Sequence, residues 1–173
     1  NDLPSGVETI IFSPSDEDRI YNSSGVIIPQ SENTGVIALN DQLPPSGNSD
    51  AEDGAVNVDQ GDTLSMNFSD NLYDPETGDL ATISDLEAFV TLSYGDSTGA
   101  EIPFDLVMEG SPPTLYVVPE NDYESDGTVY FEFSGLLADE NGNAIEFYFS
   151  ATFSIRDYIP PTVDTSILAL DNS

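Results

Sequence analysis

Along most of this chain apolar and polar side chains alternate one by one. In "IEFYFSATFSI", Ile145, Phe147, Phe149, Ala151, Phe153 and Ile155 share one face, while Glu146, Tyr148, Ser150, Thr152 and Ser154 take the other. A pleated strand with one buried face requires that period of two, so the segment predicts a long half-buried strand. The same pattern groups Leu64, Met66 and Phe68 in "TLSMNF", and Val129, Phe131 and Phe133 in "TVYFEF". Further strands are predicted at Val7 to Phe12, Ala55 to Val58, Phe89 to Ser93, Ile102 to Met108 and Thr114 to Val118. Turns such as "DPETGD", "GDSTG" and "ENGN" separate them. "TISDLEAF" alone predicts helix, about one turn, with Thr82 or Ser84 as N-cap. Many short antiparallel strands without intervening amphipathic helices predict an all-β sandwich rather than an α/β fold.

Composition agrees with a folded chain. Apolar residues make up 38% of 173, including 9 Phe and 8 Tyr, enough for a real core. Charge is the extreme feature: 33 Asp and Glu face two Arg, with no Lys and no His, for a formal charge of -31. Such a surface repels phosphate backbones and anionic headgroups, so no nucleic-acid partner and no direct membrane insertion are expected. Its self-repulsion needs screening, which predicts a saline or calcium-bearing exterior and an extracellular or cell-surface location. With no Cys, redox chemistry neither supports nor excludes secretion. No apolar run reaches the length of a membrane span, and a chain opening on Asn1 reads as processed or excerpted.

The same inventory removes most catalysis. A His-based triad, a Cys nucleophile, a Lys Schiff base and a P-loop Lys all lack their residue, and carboxylate pairs are too common here to mean anything. No enzyme activity is expected. Among metals, oxygen-only ligands select Ca²⁺. Three acidic groups are candidate ligands: Asp70, Asp74, Glu76 and Asp79 in "SDNLYDPETGD"; Asp139, Asn141 and Asn143 in "DENGN"; and Asp2, Asp157 and Asp164 at the two ends. None has EF-hand spacing, and acidic turns of this kind also serve simply as solvated caps. Two sequons, at Asn22 and Asn67, are candidate glycosylation sites. Tyr73, Tyr94, Tyr116, Tyr123 and Tyr148 could form a glycan-binding platform if they cluster.

The two ends resemble each other. Pro160-Pro161-Thr162-Val163-Asp164-Thr165 runs beside Pro4-Ser5-Gly6-Val7-Glu8-Thr9, each followed by an apolar pair. This predicts that the last residues begin a following unit, or donate a strand to a neighbour. The expected interface is Val7, Ile10, Ile11 and Phe12, with Ile27 and Ile37, against Val163, Ile167 and Leu168.

The order of motifs resembles bacterial immunoglobulin-like domains of surface-layer and adhesin proteins. The residues that carry the resemblance are Pro4, Ser13-Pro14, Gly54-Ala55 with Val58, Phe68-Ser69, Ser134-Gly135, and Asp139 with Gly142-Asn143. The chain departs from that pattern at Val129, where the family has Tyr, and in an insertion over about residues 17–53. Inside the insertion "GVIIP" and "TGVIAL" read as a β-hairpin through Val26, Ile27, Ile28, Val36, Ile37 and Leu39, lying on the sandwich or flapping toward a neighbour. The resemblance implies an immunoglobulin-like antiparallel β-sandwich over 1–158, with the hairpin inserted after the first strand, and a linker plus strand over 159–173. It also implies a structural module of a tandem-repeat or filament-forming surface protein; the repeated ends add the expectation of head-to-tail joining to copies of itself, and the acidic edges that of stiffening by calcium. The alternative is an adhesive domain that binds a surface glycan.

Overall fold

The computed structural model describes residues 3–13, 21, 23–27, 29 and 34–162. The expected all-β sandwich is present. A four-stranded antiparallel sheet, in the order β3 (Gly47–Ser49), β4 (Leu64–Phe68), β7 (Pro113–Pro119), β6 (Phe104–Gly110), packs on a three-stranded one. The second sheet runs β5 (Val90–Tyr94), β8 (Thr128–Ala138), β9 (Ala144–Ser154). Counted within the sandwich, the strands are ordered first, second, fifth, fourth in one sheet and third, sixth, seventh in the other. Between β3 and β4 the chain changes sheet and runs parallel to the end of β9. The Gly54 amide donates to Thr152 O at 2.7 Å, and the Val58 amide to Ser154 O at 3.1 Å.

The alternation in the sequence sets the register. Phe131, Phe133, Phe147 and Phe153 are buried, and Phe149 is half-buried with its ring centroid 5.8 Å from that of Phe131. From the facing sheet come Leu64, Met66, Phe68, Leu115 and Val117. Phe68 joins the layers, with ring centroids 5.7 Å from Phe133 and 5.6 Å from Phe147. Ile145 departs from the pattern: it pairs with Leu137 near the start of β9 and stays exposed. The predicted helical turn is α1 (Ile83–Glu87), which buries Leu86. Its N-cap is Thr82, whose amide and hydroxyl both donate to Asp85 Oδ2, at 2.8 and 2.7 Å. Those bonds hold the Asp85 carboxyl below its usual pKa.

Two expectations about the first part of the chain are corrected. Val7 to Phe12 is not the first strand of the sandwich; β3 occupies that place beside β4, pairing Gly47 with Phe68 and Ser49 with Met66. Gly47 makes the close approach feasible. A Cβ there would lie 3.0 Å from the Phe68 ring and 3.1 Å from the Phe147 ring, so any other residue would press on both rings. Nor do the two halves of the expected hairpin pair with each other among the described residues. Instead β1 (Thr9–Ile10) pairs with β2 (Ile37–Ala38) in a separate two-stranded sheet, and Ile27 bridges to Tyr21. The apolar side chains of this ribbon do not complete the core: Val7, Phe12, Val26 and Val36 are exposed.

Candidate functional site

The end of the sandwich where the chain leaves is the most elaborately tied. After β9, Ile155 is buried, and its neighbour Arg156 turns outward to a loop between β3 and β4. Arg156 Nη1 lies 2.8 Å from Asp59 Oδ1, and Nη2 donates to Asn57 O at 3.3 Å. The Tyr158 hydroxyl donates to the same Asp59 oxygen at 2.7 Å, which raises the phenol pKa. The Tyr158 amide donates to Ser125 Oγ at 2.7 Å, and the Ile159 amide to Asp157 Oδ1 at 2.8 Å. The guanidinium carbon is 6.0 Å from the Tyr158 ring centroid, at the outer limit of a cation–π contact. One of two cationic side chains in a chain with 33 acids is thus committed to holding the departing segment. These contacts tie the departing segment to the sandwich as far as Tyr158, and Pro160-Pro161 follow with φ locked by two rings.

The expected metal ligands are used differently. Asp139 is buried, and its carboxylate accepts the amides of Asn141 and Asn143 at 2.9 and 2.8 Å and Asn143 Nδ2 at 2.7 Å. The three residues therefore meet in one turn, as donors and acceptor of a closed network. Asp74 Oδ1 accepts the Glu76 amide at 2.8 Å, Asp74 Oδ2 accepts Thr77 Oγ1 at 3.1 Å, and the Asp74 amide reaches Asp79 O at 2.9 Å. Asp70 accepts from Ser69 Oγ, and Asp157 sits in the exit end. Asp70, Asp139 and Asn141 line a cavity of about 150 Å³ with Asp41, Tyr73 and Glu140. Even so, no group of three carboxylates converges on an ion position among the described residues. Asp2 and Asp164 lie outside the described residues.

Of the expected interface, Val7, Ile10, Ile11, Phe12, Ile27 and Ile37 all lie in the ribbon and its neighbouring bridge, exposed. Val163, Ile167 and Leu168 lie outside the described residues, as does Asn22. Asn67 is exposed on β4, where its Oδ1 accepts Thr114 Oγ1 at 2.9 Å across the sheet. The tyrosines do not gather. Tyr123 is buried with its hydroxyl unpartnered among the described residues, and Tyr94 OH accepts the Glu124 amide at 3.0 Å near the same end. Tyr73 bridges to Ala138, Tyr116 sits on β7, and exposed Tyr148 lies on β9. Reading by residue type missed Asp59, Ser125, Arg156 and Tyr158. The available signal was scarcity: an Arg in so acidic a chain marks a place where a carboxylate must be held.

No family model matches this chain, and no curated protein does. Among solved structures, it is similar to the N-terminal part of the bacterial S-layer protein SbsC, at 17% identity and a TM-score of 0.37. That similarity covers 69% of this chain and 25% of the other, so the chain spans about a quarter of that structure's length. No helix among the described residues is long and apolar enough to cross a membrane.

Proposed function

We propose that this chain is an extracellular structural module of the bacterial immunoglobulin-like kind, joined head to tail to a following unit through its pinned exit. One observation carries the reading. The sandwich begins where Leu43-Pro44-Pro45-Ser46 leads into β3, with Pro45 fully buried, and directly after the exit lock the sequence repeats as Ile159-Pro160-Pro161-Thr162. The repeat that matters is therefore with residues 43–46 rather than with Pro4 and its neighbours. In this reading Pro161 plays in the next sandwich the part that Pro45 plays here, and residues 3–42 precede the module instead of interrupting it. The mechanism is mechanical: backbone ladders resist load along the chain, and the Arg156–Asp59–Tyr158 contacts pass orientation from one unit to the next.

The charge supports an exterior location, because a chain of formal charge -31 is most compact where salt screens it. Cations in solution would screen this surface as a whole. Scattered tyrosines favour structure over glycan binding. Deleting residues 160–173 tests the assignment of the tail. If those residues belong to another unit, the melting temperature of this sandwich stays within about 2 °C; a fall beyond about 5 °C assigns them to this one and ends the reading.

A further inference from the structure

The ribbon formed by residues 3–13 and 34–43 has features that the head-to-tail joint does not use. The pairing of Ile10 with Ile37 puts Ile10, Phe12 and Ile37 on one face, and Val7, Ile11 and Val36 on the other. Both faces are apolar, and both are open: Val7 is 82% exposed, Val36 68% and Phe12 62%. A two-stranded ribbon of this kind is marginal in water, and three or more strands with a covered face are needed for stability. One edge is also open. Glu8 O accepts the Leu39 amide at 3.0 Å and Phe12 O the Thr34 amide at 3.0 Å, so the even positions face β2. The backbone groups of Thr9 and Ile11 point away, with no partner among the described residues.

Charge selects the occupant. Two copies of a chain with 33 acids and two Arg repel each other over nearly all of their surface. The ribbon is the exception, because residues 3–13 and 34–43 carry only Glu8 and Asp41, and both are turned onto local donors. Glu8 accepts the Ser5 amide at 2.8 Å, and Asp41 the Leu43 amide at 2.9 Å. A basic partner would find better surface elsewhere, whereas a second copy finds its least repulsive approach here. We propose that the ribbon is a self-association surface, through which two copies of this chain pair the free edges of β1 into one four-stranded sheet. Like edge meeting like edge gives a closed two-fold pair, a side-by-side contact distinct from the open-ended joint at the exit.

Sedimentation of the full chain in 1 M NaCl, where the Debye length is about 3 Å, tests this. A concentration-dependent dimer is expected, with Ile11→Asp and Ile37→Asp each weakening it at least about tenfold. Leu136→Asp, on the exposed end of β8, should leave it unchanged. Melting of the sandwich, followed for each variant, shows that its fold is intact. The dimer should also survive deletion of residues 160–173, which separates it from the head-to-tail reading. A chain that stays monomeric at all concentrations overturns the proposal. So does a dimer indifferent to both ribbon variants, one weakened equally by Leu136→Asp, or one lost with the tail.

Discussion

Arg156 and Tyr158, two residues apart on the departing chain, hold the same oxygen of Asp59, at 2.8 and 2.7 Å. Both ends of the ion pair are about half exposed, which places its contribution to stability at about 0–1 kcal/mol. Its effect is expected on order instead. Arg156→Ala should leave the melting temperature nearly unchanged while the backbone order parameters of Asp157 to Ile159 fall from about 0.85 toward about 0.6, read by ¹⁵N relaxation. Order that persists in the variant would show that the ion pair holds nothing.

Core and surface of the same strand pair should respond very differently. Phe133 is fully buried between Phe68 and Phe147, so Phe133→Ala should cost about 3–5 kcal/mol in urea unfolding. Tyr148, exposed on the opposite face of β9, should cost within about 0.5 kcal/mol on truncation to Ala. Comparable losses would mean that the register is slipped by one residue.

Tyr123 buries a hydroxyl that has no hydrogen-bond partner among the described residues, and burial raises its pKa. Removing an unpaired buried polar group while keeping the ring, which meets Phe153 at 6.1 Å, should be neutral or stabilising. Tyr123→Phe should therefore hold or raise the unfolding free energy. A loss greater than about 1 kcal/mol would reveal a bound water or other partner at that oxygen.

Salt dependence separates screening from site binding. With acidic turns already closed by their own amides, NaCl and CaCl₂ at equal ionic strength should raise the melting temperature alike. An added rise in calcium that saturates with concentration would demand an ion site in spite of this geometry.

The sandwich was legible because period-two alternation and turn chemistry are local signals, and β4, β8 and β9 follow them residue by residue. The first strand was not. "GNS" in β3 has turn-like composition and is a strand because it pairs with β4, with Gly47 close against the Phe68 and Phe147 rings, a tertiary reason invisible along the chain. Val7 to Phe12 shows the converse: strong strand propensity without a place in the sandwich. The acidic groups were visible as composition, but whether a carboxylate faces an ion or an amide two residues on depends on turn geometry, as Asp139 and Asp74 show. The exit lock joins residues 57–59, 125 and 156–158, which only the fold brings together.

A module that transmits orientation must fix, at its exit, the direction of the next unit. A second copy of the sandwich, starting at its own Pro44, can follow Ile159 directly and so preserve the joint sequence. Because the chain has no Cys, Ser97→Cys in each unit gives two spin labels and no others. The distance distribution between them by electron double resonance should be a single narrow peak that broadens when Arg156→Ala is introduced at the joint. A broad distribution before that substitution, as from a flexible tether, would contradict the proposal that this module transmits orientation along a head-to-tail array.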